Sequence, residues 1–217
     1  MELNISSYCL IKENKVIRND RLIFYQENIS KFADFAKSLY KHAQIGYPKF
    51  YKMDSISKLG FLTTELVLQE KPVAGYFPEK VGIVFANASS SLDTDLAHQE
   101  TIKNRSGYFP SPSVFVYTLP NIVIGEVCIR HKIKGENVFF ISETPDSGLI
   151  CRYVTELFEN KRVDACLCGW IEVLGSQFCS WVMLIEKSVN AFSANQPAEY
   201  TPKAFDIENM NLIFKPN

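Results

Sequence analysis

In residues 137–187 one helix-like stretch lies between apolar, strand-like stretches. This order of elements limits the fold classes that the chain can adopt. The predicted strands are NVFFIS, VDACLCGWIEVL and QFCSWVMLIEK (137–142, 163–174 and 177–187). Between the first two lies SGLICRYVTELFENK (147–161), a predicted helix whose inner side carries Leu149, Tyr153, Val154 and Leu157. Strand and helix alternate and then two strands follow in succession, which favours a layered α/β sheet with mostly parallel strands and one antiparallel edge.

Upstream of residue 137 the sequence predicts two more strands and two helices. The strands are NISSYCLI (4–11) and VGIVFAN (81–87), and the second reads as a strand covered on both faces. The helices span 54–71, with Asp54 or Ser55 as cap, and 113–132, with a kink at Pro120. Residues 12–53 predict loop and short helix, and NASSSLDTD (87–95) predicts a serine-rich loop. The five strands therefore predict a mixed, mostly parallel five-stranded sheet with helices on both faces.

A chain of 217 residues suits one substantial domain. We place that domain at residues 1–187. Residues 188–217 are polar, contain three prolines and have one apolar cluster, LIF (212–214), so they predict a tail that lies over the surface or is partly disordered.

Charge and hydropathy argue against nucleic-acid and membrane partners. There are 23 basic and 24 acidic residues, a formal net charge of −1, and no long block of either sign. The first 15 residues lack the pattern of a signal peptide, and the most apolar later stretches contain Glu126, Asp164, Glu172 or Gln177. We expect a soluble cytoplasmic protein.

The stretch GENVFFISETPDSGLI (135–150) is the main candidate for chemistry. A turn between a buried strand and a helix N-terminus exposes one side chain at the carboxyl end of the sheet, where the helix dipole favours a nucleophile. The candidates in this elbow are Thr144, Asp146 and Ser147, with Cys151 one turn further on. Asp146 or Ser147 is also a typical helix N-cap, and Cys151 is expected to face the core.

Neither the histidines nor the cysteines form a recognisable site in the sequence. His42, His98 and His131 are not placed near the elbow by sequence alone, and His131 suits a structural role at a helix end. The six cysteines show neither a CxxC pair nor zinc spacing, and Cys166 and Cys168 share one face of a strand. We expect reduced thiols in the core, no metal and no cofactor.

Several ordered segments resemble the N-terminal half of β-ketoacyl synthases of the thiolase superfamily. They are YPKFYKMD (47–54), VGIVFANASSSLDTD (81–95), SPSVFVYTLPNIVIGEVCIRHKIKGEN (111–137), SGLI (147–150) and VDACLCGWIEV (163–173), with Pro120, Asn121 and Gly169 among the matched positions. The resemblance covers most of residues 1–186. It implies a thiolase-like N-terminal-half fold.

The same resemblance implies that the elbow is degenerate. The family's Thr-Ala-Cys-Ser-Ser-Gly-Leu elbow maps onto residues 143–149, so that its nucleophilic cysteine falls on Pro145. Proline can neither attack a thioester nor donate a hydrogen bond. The two catalytic histidines that the resemblance implies come from a C-terminal half beyond these 217 residues, so we expect no condensation by this chain alone.

These observations lead to two hypotheses of different class. The first is a non-catalytic, chain-length-factor-like partner subunit in acyl-carrier-protein-dependent fatty acid or polyketide/polyene-type biosynthesis, which meets carrier protein or acyl thioester. It would pair with itself or a catalytic ketosynthase through residues 138–142. The second is an acyltransferase or thioesterase that uses Ser147 or Cys151 as nucleophile. A single half-fold should also expose a wide apolar face unless a partner, a second copy or the tail covers it.

Overall fold

A computed structural model describes residues 1–27, 31–104, 109–188 and 200–214. Its strands are β1 (Leu3–Lys12), β2 (Lys15–Arg18), β3 (Arg21–Tyr25), β4 (Val81–Asn87), β5 (Asn137–Ile141), β6 (Ala165–Leu174), β7 (Gln177–Lys187) and β8 (Lys203–Ala204). Its helices are α1 (Phe32–His42), α2 (Ser55–Glu70), α3 (Leu92–Ile102), α4 (Pro112–Phe115), α5 (Ile122–His131), α6 (Ser147–Glu159) and α7 (Ile207–Phe214). All five predicted strands are present.

All the strands described belong to one mixed sheet. Its order is β3-β2-β1-β7-β6-β4-β5, and β8 pairs with β1. β4 runs parallel to both β5 and β6, whereas the remaining pairs in the described residues are antiparallel. The mixed α/β class is confirmed, but the predicted five strands and the mostly parallel character are wrong: the described part of the chain contributes eight strands to the sheet, and its antiparallel pairs outnumber the parallel ones.

Two of the three missed strands, β2 and β3, arise from turns in residues 12–53, where we predicted only loop and short helix. Glu13 and Asn14, and then Asn19 and Asp20, all have positive φ values between 50° and 66°. Two consecutive residues with positive φ make the tight hairpin turn whose twist matches paired strands. β1, β2 and β3 therefore form a meander, and α1 follows it in the same region.

The predicted helices are partly confirmed. α2 begins after Asp54, whose Oδ1 accepts a hydrogen bond from the Ser57 N–H at 3.0 Å, so the predicted cap is correct. The single kinked helix over 113–132 is wrong, because α4 and α5 are separate helices and Pro120 lies in the turn between them. The serine-rich loop is shorter than predicted, since α3 begins at Leu92.

Helices cover both faces of the sheet, as predicted. One face packs against α1, α2 and α5 through side chains such as Phe35, Leu59 and Val123. The other face packs against α6 and α7 through side chains that include Val154 and Met210. The elbow between β5 and α6 therefore leads from the sheet to the face that packs against α6 and α7.

The C-terminal segment contributes to this second core. Ala204 of β8 pairs with Asn4 of β1, Met210 is fully buried, and the Phe214 ring stacks on Trp181 with centroids 4.8 Å apart. Residues 200–214 of the predicted tail thus contain side chains that pack in the core, whereas residues 189–199 and 215–217 lie outside the described residues. The division into a domain and a tail at residue 187 stays a prediction.

Among the described residues, no helix is long and apolar enough to cross a bilayer. The predicted cytoplasmic location stays a prediction.

Candidate functional site

The predicted elbow connects the carboxyl end of β5 to the N-terminus of α6. The Ser142 N–H donates to the Asn87 carbonyl at 3.0 Å, which holds the start of the elbow against the end of β4. Residues 143–146 are exposed, and α6 begins at Ser147. The strand, elbow and helix predicted from the sequence are thus present, with Thr144 and Pro145 open to solvent.

Asp146 and Ser147 have different structural roles. The Asp146 Oδ1 accepts a hydrogen bond from the Leu149 N–H at 2.8 Å, so Asp146 is the N-cap of α6. The Ser147 Oγ instead donates to the Asn211 Oδ1 on α7 at 2.7 Å, and Ser147 is 6% exposed. The hydroxyl of Ser147 therefore joins two packed helices and is closed to solvent.

Cys151 is a half-buried thiol on the second turn of α6. Burial raises the pKa of this thiol above its usual value, and a hydrogen bond with Thr155 opposes the rise only in part. A nucleophilic cysteine needs a lowered pKa at the working pH. The environment of Cys151 therefore favours the unreactive thiol.

The three histidines interact with partners outside the elbow. The His42 Nε2 lies 3.1 Å from the Ile23 carbonyl oxygen. His98 packs against the Phe115 ring with centroids 5.3 Å apart. His131, the last residue of α5, lies with its Nε2 2.6 Å from the Glu65 Oε1.

Glu65 lines a concavity of about 400 Å³ between α2 and the end of α5. Its carboxylate is buried and also accepts from the Nε and Nη2 of Arg130, at 3.1 and 3.2 Å. Burial alone would raise the pKa of Glu65, but the hydrogen bonds from His131 and Arg130 lower it below its usual value. This cluster ties α5 to α2, on the opposite face of the sheet from α6.

The serine-rich loop after β4 is held by a carboxylate that sequence reasoning missed. Glu172, near the end of β6, accepts from the N–H groups of Ala88 and Ser89 at 2.7 and 3.3 Å, and also from the Ser89 hydroxyl. The only signal in the sequence was a charged residue near the end of an otherwise apolar strand.

The loop has further internal bonds that fix its shape. The Asn87 side chain bonds the carbonyl and the N–H of Ser90 at 2.8 and 3.0 Å, and Ser90 has a φ of 53°. The Ser91 hydroxyl donates to the Thr118 carbonyl at 2.9 Å. The loop is therefore a defined structure.

The loop and the elbow follow the carboxyl ends of two adjacent parallel strands, β4 and β5. After β4 the chain passes through α3 and α4 to α5, which packs on one face of the sheet, and after β5 it enters α6, which packs on the other face. In open α/β sheets, ligands bind outside the carboxyl ends of the strands where neighbouring connections diverge in this way. We call the region between residues 88–91 and residues 142–146 the crevice, and this topology makes it the candidate functional site.

No family model matches the chain, and no curated protein matches it. The fold, however, is that of thiolase-like ketosynthases, which confirms the resemblance seen in the sequence at the level of fold.

Three solved structures illustrate the match. The ishigamide ketosynthase/chain length factor superposes with a TM-score of 0.65 and 16% identity over 91% of this chain and 64% of its own. A type II polyketide synthase acyl-carrier protein in complex with its ketosynthase superposes with a TM-score of 0.60 and 15% identity, and the match covers 88% of this chain and 64% of the other. A ketosynthase in complex with its chain length factor, from Xenorhabdus doucetiae, superposes with a TM-score of 0.57 and 13% identity, and the match covers 87% of this chain and 80% of the other. The chain thus spans less than two thirds of the length of the first two.

Proposed function

We propose that this chain is a ketosynthase-like partner subunit that does not itself catalyse condensation. It pairs through β5, the last of the described strands at this side of the sheet, with a second ketosynthase-fold subunit, and it presents its elbow towards an acyl thioester or an acyl carrier protein. The observation that carries the proposal is the contrast between the two edges of the sheet.

Within the described residues, the β5 edge lacks the features that normally prevent strand pairing. The strand NVFFI contains no charged residue and no proline, and it pairs with β4 in an unbroken parallel register. Natural proteins usually protect such an edge with charges, prolines or bulges. An unprotected apolar edge supports a partner that adds a strand beside it.

The opposite edge, β3, is protected. Its register with β2 shifts between Val16 and Ile17, Arg21 lies at its start, and His42 bonds the Ile23 carbonyl. These features supply the bulge, charge and covering side chain that β5 lacks. Pairing is therefore expected at one edge of the sheet and not at the other.

The β5 edge suits either a second copy or a related subunit. In a two-fold antiparallel pair centred on Phe139, Asn137 lies opposite Ile141 of the other strand, and no like charges face each other. Solved neighbours of this fold include ketosynthases with chain length factors and one with an acyl-carrier protein. These neighbours support a catalytic ketosynthase and a carrier protein as partners of this chain.

The elbow supports a role without covalent catalysis. Pro145 occupies the position at which the resemblance implies the nucleophile, and the exposed side chains beside it are Thr144 and Asp146. The alternative nucleophiles fit poorly, because Ser147 is buried against Asn211 and burial raises the pKa of Cys151. Acyl transfer through Ser147 or Cys151 is therefore the weaker hypothesis.

The test is co-expression with a catalytic ketosynthase of the same organism, followed by light scattering of the purified proteins. We expect a complex, or a homodimer when the chain is alone at micromolar concentration. Ile141→Glu places a charge on the β5 edge at a side chain that is 53% exposed, and Leu22→Glu places one on the protected β3 edge at 59% exposure. Pairing should be lost only in Ile141→Glu.

Two results would contradict the proposal. If wild type stays monomeric and binds no ketosynthase, the pairing is wrong. If the chain alone condenses acyl and malonyl thioesters, the non-catalytic role is wrong. Intact-mass measurement after incubation with an acyl-carrier thioester tests the alternative, since an adduct that disappears in Ser147→Ala or Cys151→Ala would favour it.

A further inference from the structure

We infer that Ser89 and Glu172 form a nucleophile and base pair that accepts an acyl group from a thioester. The juxtaposition that carries this inference is the Ser89 hydroxyl bonded to a carboxylate at the crevice, on the β4 side. It goes beyond the proposed function, because neither β5 nor the elbow takes part.

The geometry of the pair matches that of an activated nucleophile. The Ser89 Oγ donates to the Glu172 Oε1, while the Glu172 Oε2 accepts from the N–H groups of Ala88 and Ser89 at 2.7 and 3.3 Å. The base is thus held in place by groups other than the nucleophile, which is the arrangement that recurs around catalytic hydroxyls. The same hydroxyl lies 3.3 Å from the Val173 carbonyl oxygen, a longer contact.

The position of Ser89 allows a ligand to approach its side chain. Ser89 is partly exposed, in contrast to Ser147. The Ser89 carbonyl accepts from the Leu92 N–H at 3.0 Å, which places the hydroxyl-bearing residue beside the N-terminus of α3.

Two exposed apolar side chains flank the pair along the chain. Leu92 is 43% exposed and Leu174 is 42% exposed. The Gly175 N–H donates to the Asp93 Oδ1 at 3.1 Å, so the hairpin tip that follows Leu174 is tied to the start of α3, which carries Leu92. An acyl chain that leaves the crevice therefore meets apolar surface on both segments.

The chemical step is acyl transfer. The Ser89 Oγ attacks the thioester carbonyl carbon while its proton passes to the Glu172 carboxylate, and a tetrahedral intermediate forms. Collapse of this intermediate breaks the C–S bond, and the proton on Glu172 passes to the leaving sulfur. The products are a free thiol and an ester on Ser89, so no oxidant, reductant or further reactant is required.

The experiment uses the full-length chain and an acetyl thioester of N-acetylcysteamine as the acyl donor. We expect the intact mass to increase by one acetyl group and peptide mapping to locate that group on Ser89. Ser89→Ala should give no adduct, whereas Ser113→Ala, the same change at an exposed serine of α4 outside the site, should react like wild type. Glu172→Gln should slow acylation about 10²-fold or more, because the general base is lost.

A second variant separates chemistry from loop structure. Ser89→Cys keeps a nucleophile at the same position, so we expect an adduct that neutral hydroxylamine removes, as is usual for a thioester. Circular dichroism checks that each variant is folded. The inference is overturned if wild type gives no adduct or if Ser89→Ala is acetylated at the wild-type rate. It is also overturned if Glu172→Gln reacts as fast as wild type, because Glu172 would then only hold the loop in place. Light scattering of Ser89→Ala reports pairing separately, so a failure here leaves the proposed function intact.

Discussion

Gly169→Ala tests the central packing of the sheet. An added Cβ would lie 2.1 Å from the Trp181 carbonyl oxygen and 3.0 Å from the Val182 Cα. Both atoms belong to the backbone of β7, which pairs with β6 in the middle of the sheet. Rotation of a side chain therefore cannot relieve the clash, and one strand must move relative to the other.

The structure sets the expected size of this effect. Overpacking a well-packed core costs about 1–3 kcal/mol, and the upper end applies here because backbone has to shift. With roughly 2–4 °C per kcal/mol for a chain of this size, we expect the Tm of Gly169→Ala to fall by roughly 6–12 °C.

Gly125→Ala is the matched control. Gly125 lies within α5, and an added Cβ meets no heavy atom within 4 Å. Alanine is favoured over glycine in a helix by roughly 0.5–1 kcal/mol, so this variant should be slightly more stable than wild type. Thermal and urea unfolding followed by circular dichroism measure both variants. An unchanged unfolding midpoint for Gly169→Ala would refute the close approach of β6 and β7.

Three further predictions concern single side chains. Asp54→Ala should lower the free energy of unfolding by about 1–2 kcal/mol in urea, because α2 loses its cap. His131 and Arg130 hold the pKa of Glu65 below its usual 4.5. The ionised carboxylate therefore stabilises the fold above pH 4.5, and this stabilisation is lost as the pH falls through the lowered pKa. In urea titrations, the free energy of unfolding of Glu65→Gln should fall less steeply with decreasing pH than that of wild type. Ser147→Ala should cost about 0.5–1.5 kcal/mol and increase amide exchange in α7, as its bond to that helix is lost.

The sequence was sufficient where a signal lies within a few residues. The uninterrupted apolar run of VGIVFAN gave the buried β4, and Asp54 before a 3.6-residue pattern gave the start of α2. The elbow between β5 and α6 was recognised in the same way, and Asp146 is its cap. Glycine and proline positions marked turns, although Pro120 separates two helices where we predicted a kink in one.

Other features could not be predicted because the neighbouring residues carry only a weak sequence signal for them. Neither Glu13–Asn14 nor Asn19–Asp20 contains glycine, so two hairpin turns went unrecognised and β2 and β3 with them. The apolar side chains of the segment that forms β8 and α7 follow a polar stretch, and their burial depends on a sheet face built elsewhere in the chain. A tail with that composition is ambiguous until the surface that it covers is known.

The sequence by itself determined most of the strands, the capped helix, the elbow without a cysteine and the resemblance to ketosynthases. These depend on periodicity, turn chemistry and order along the chain, which are properties of neighbouring residues. Only the tertiary structure decided which polar groups meet. Ser89 bonds Glu172 across 83 positions, and Ser147 bonds Asn211 across 64. Such pairs follow from strand order and helix packing, which no local pattern specifies, and they make one serine a buried tether and the other a candidate nucleophile.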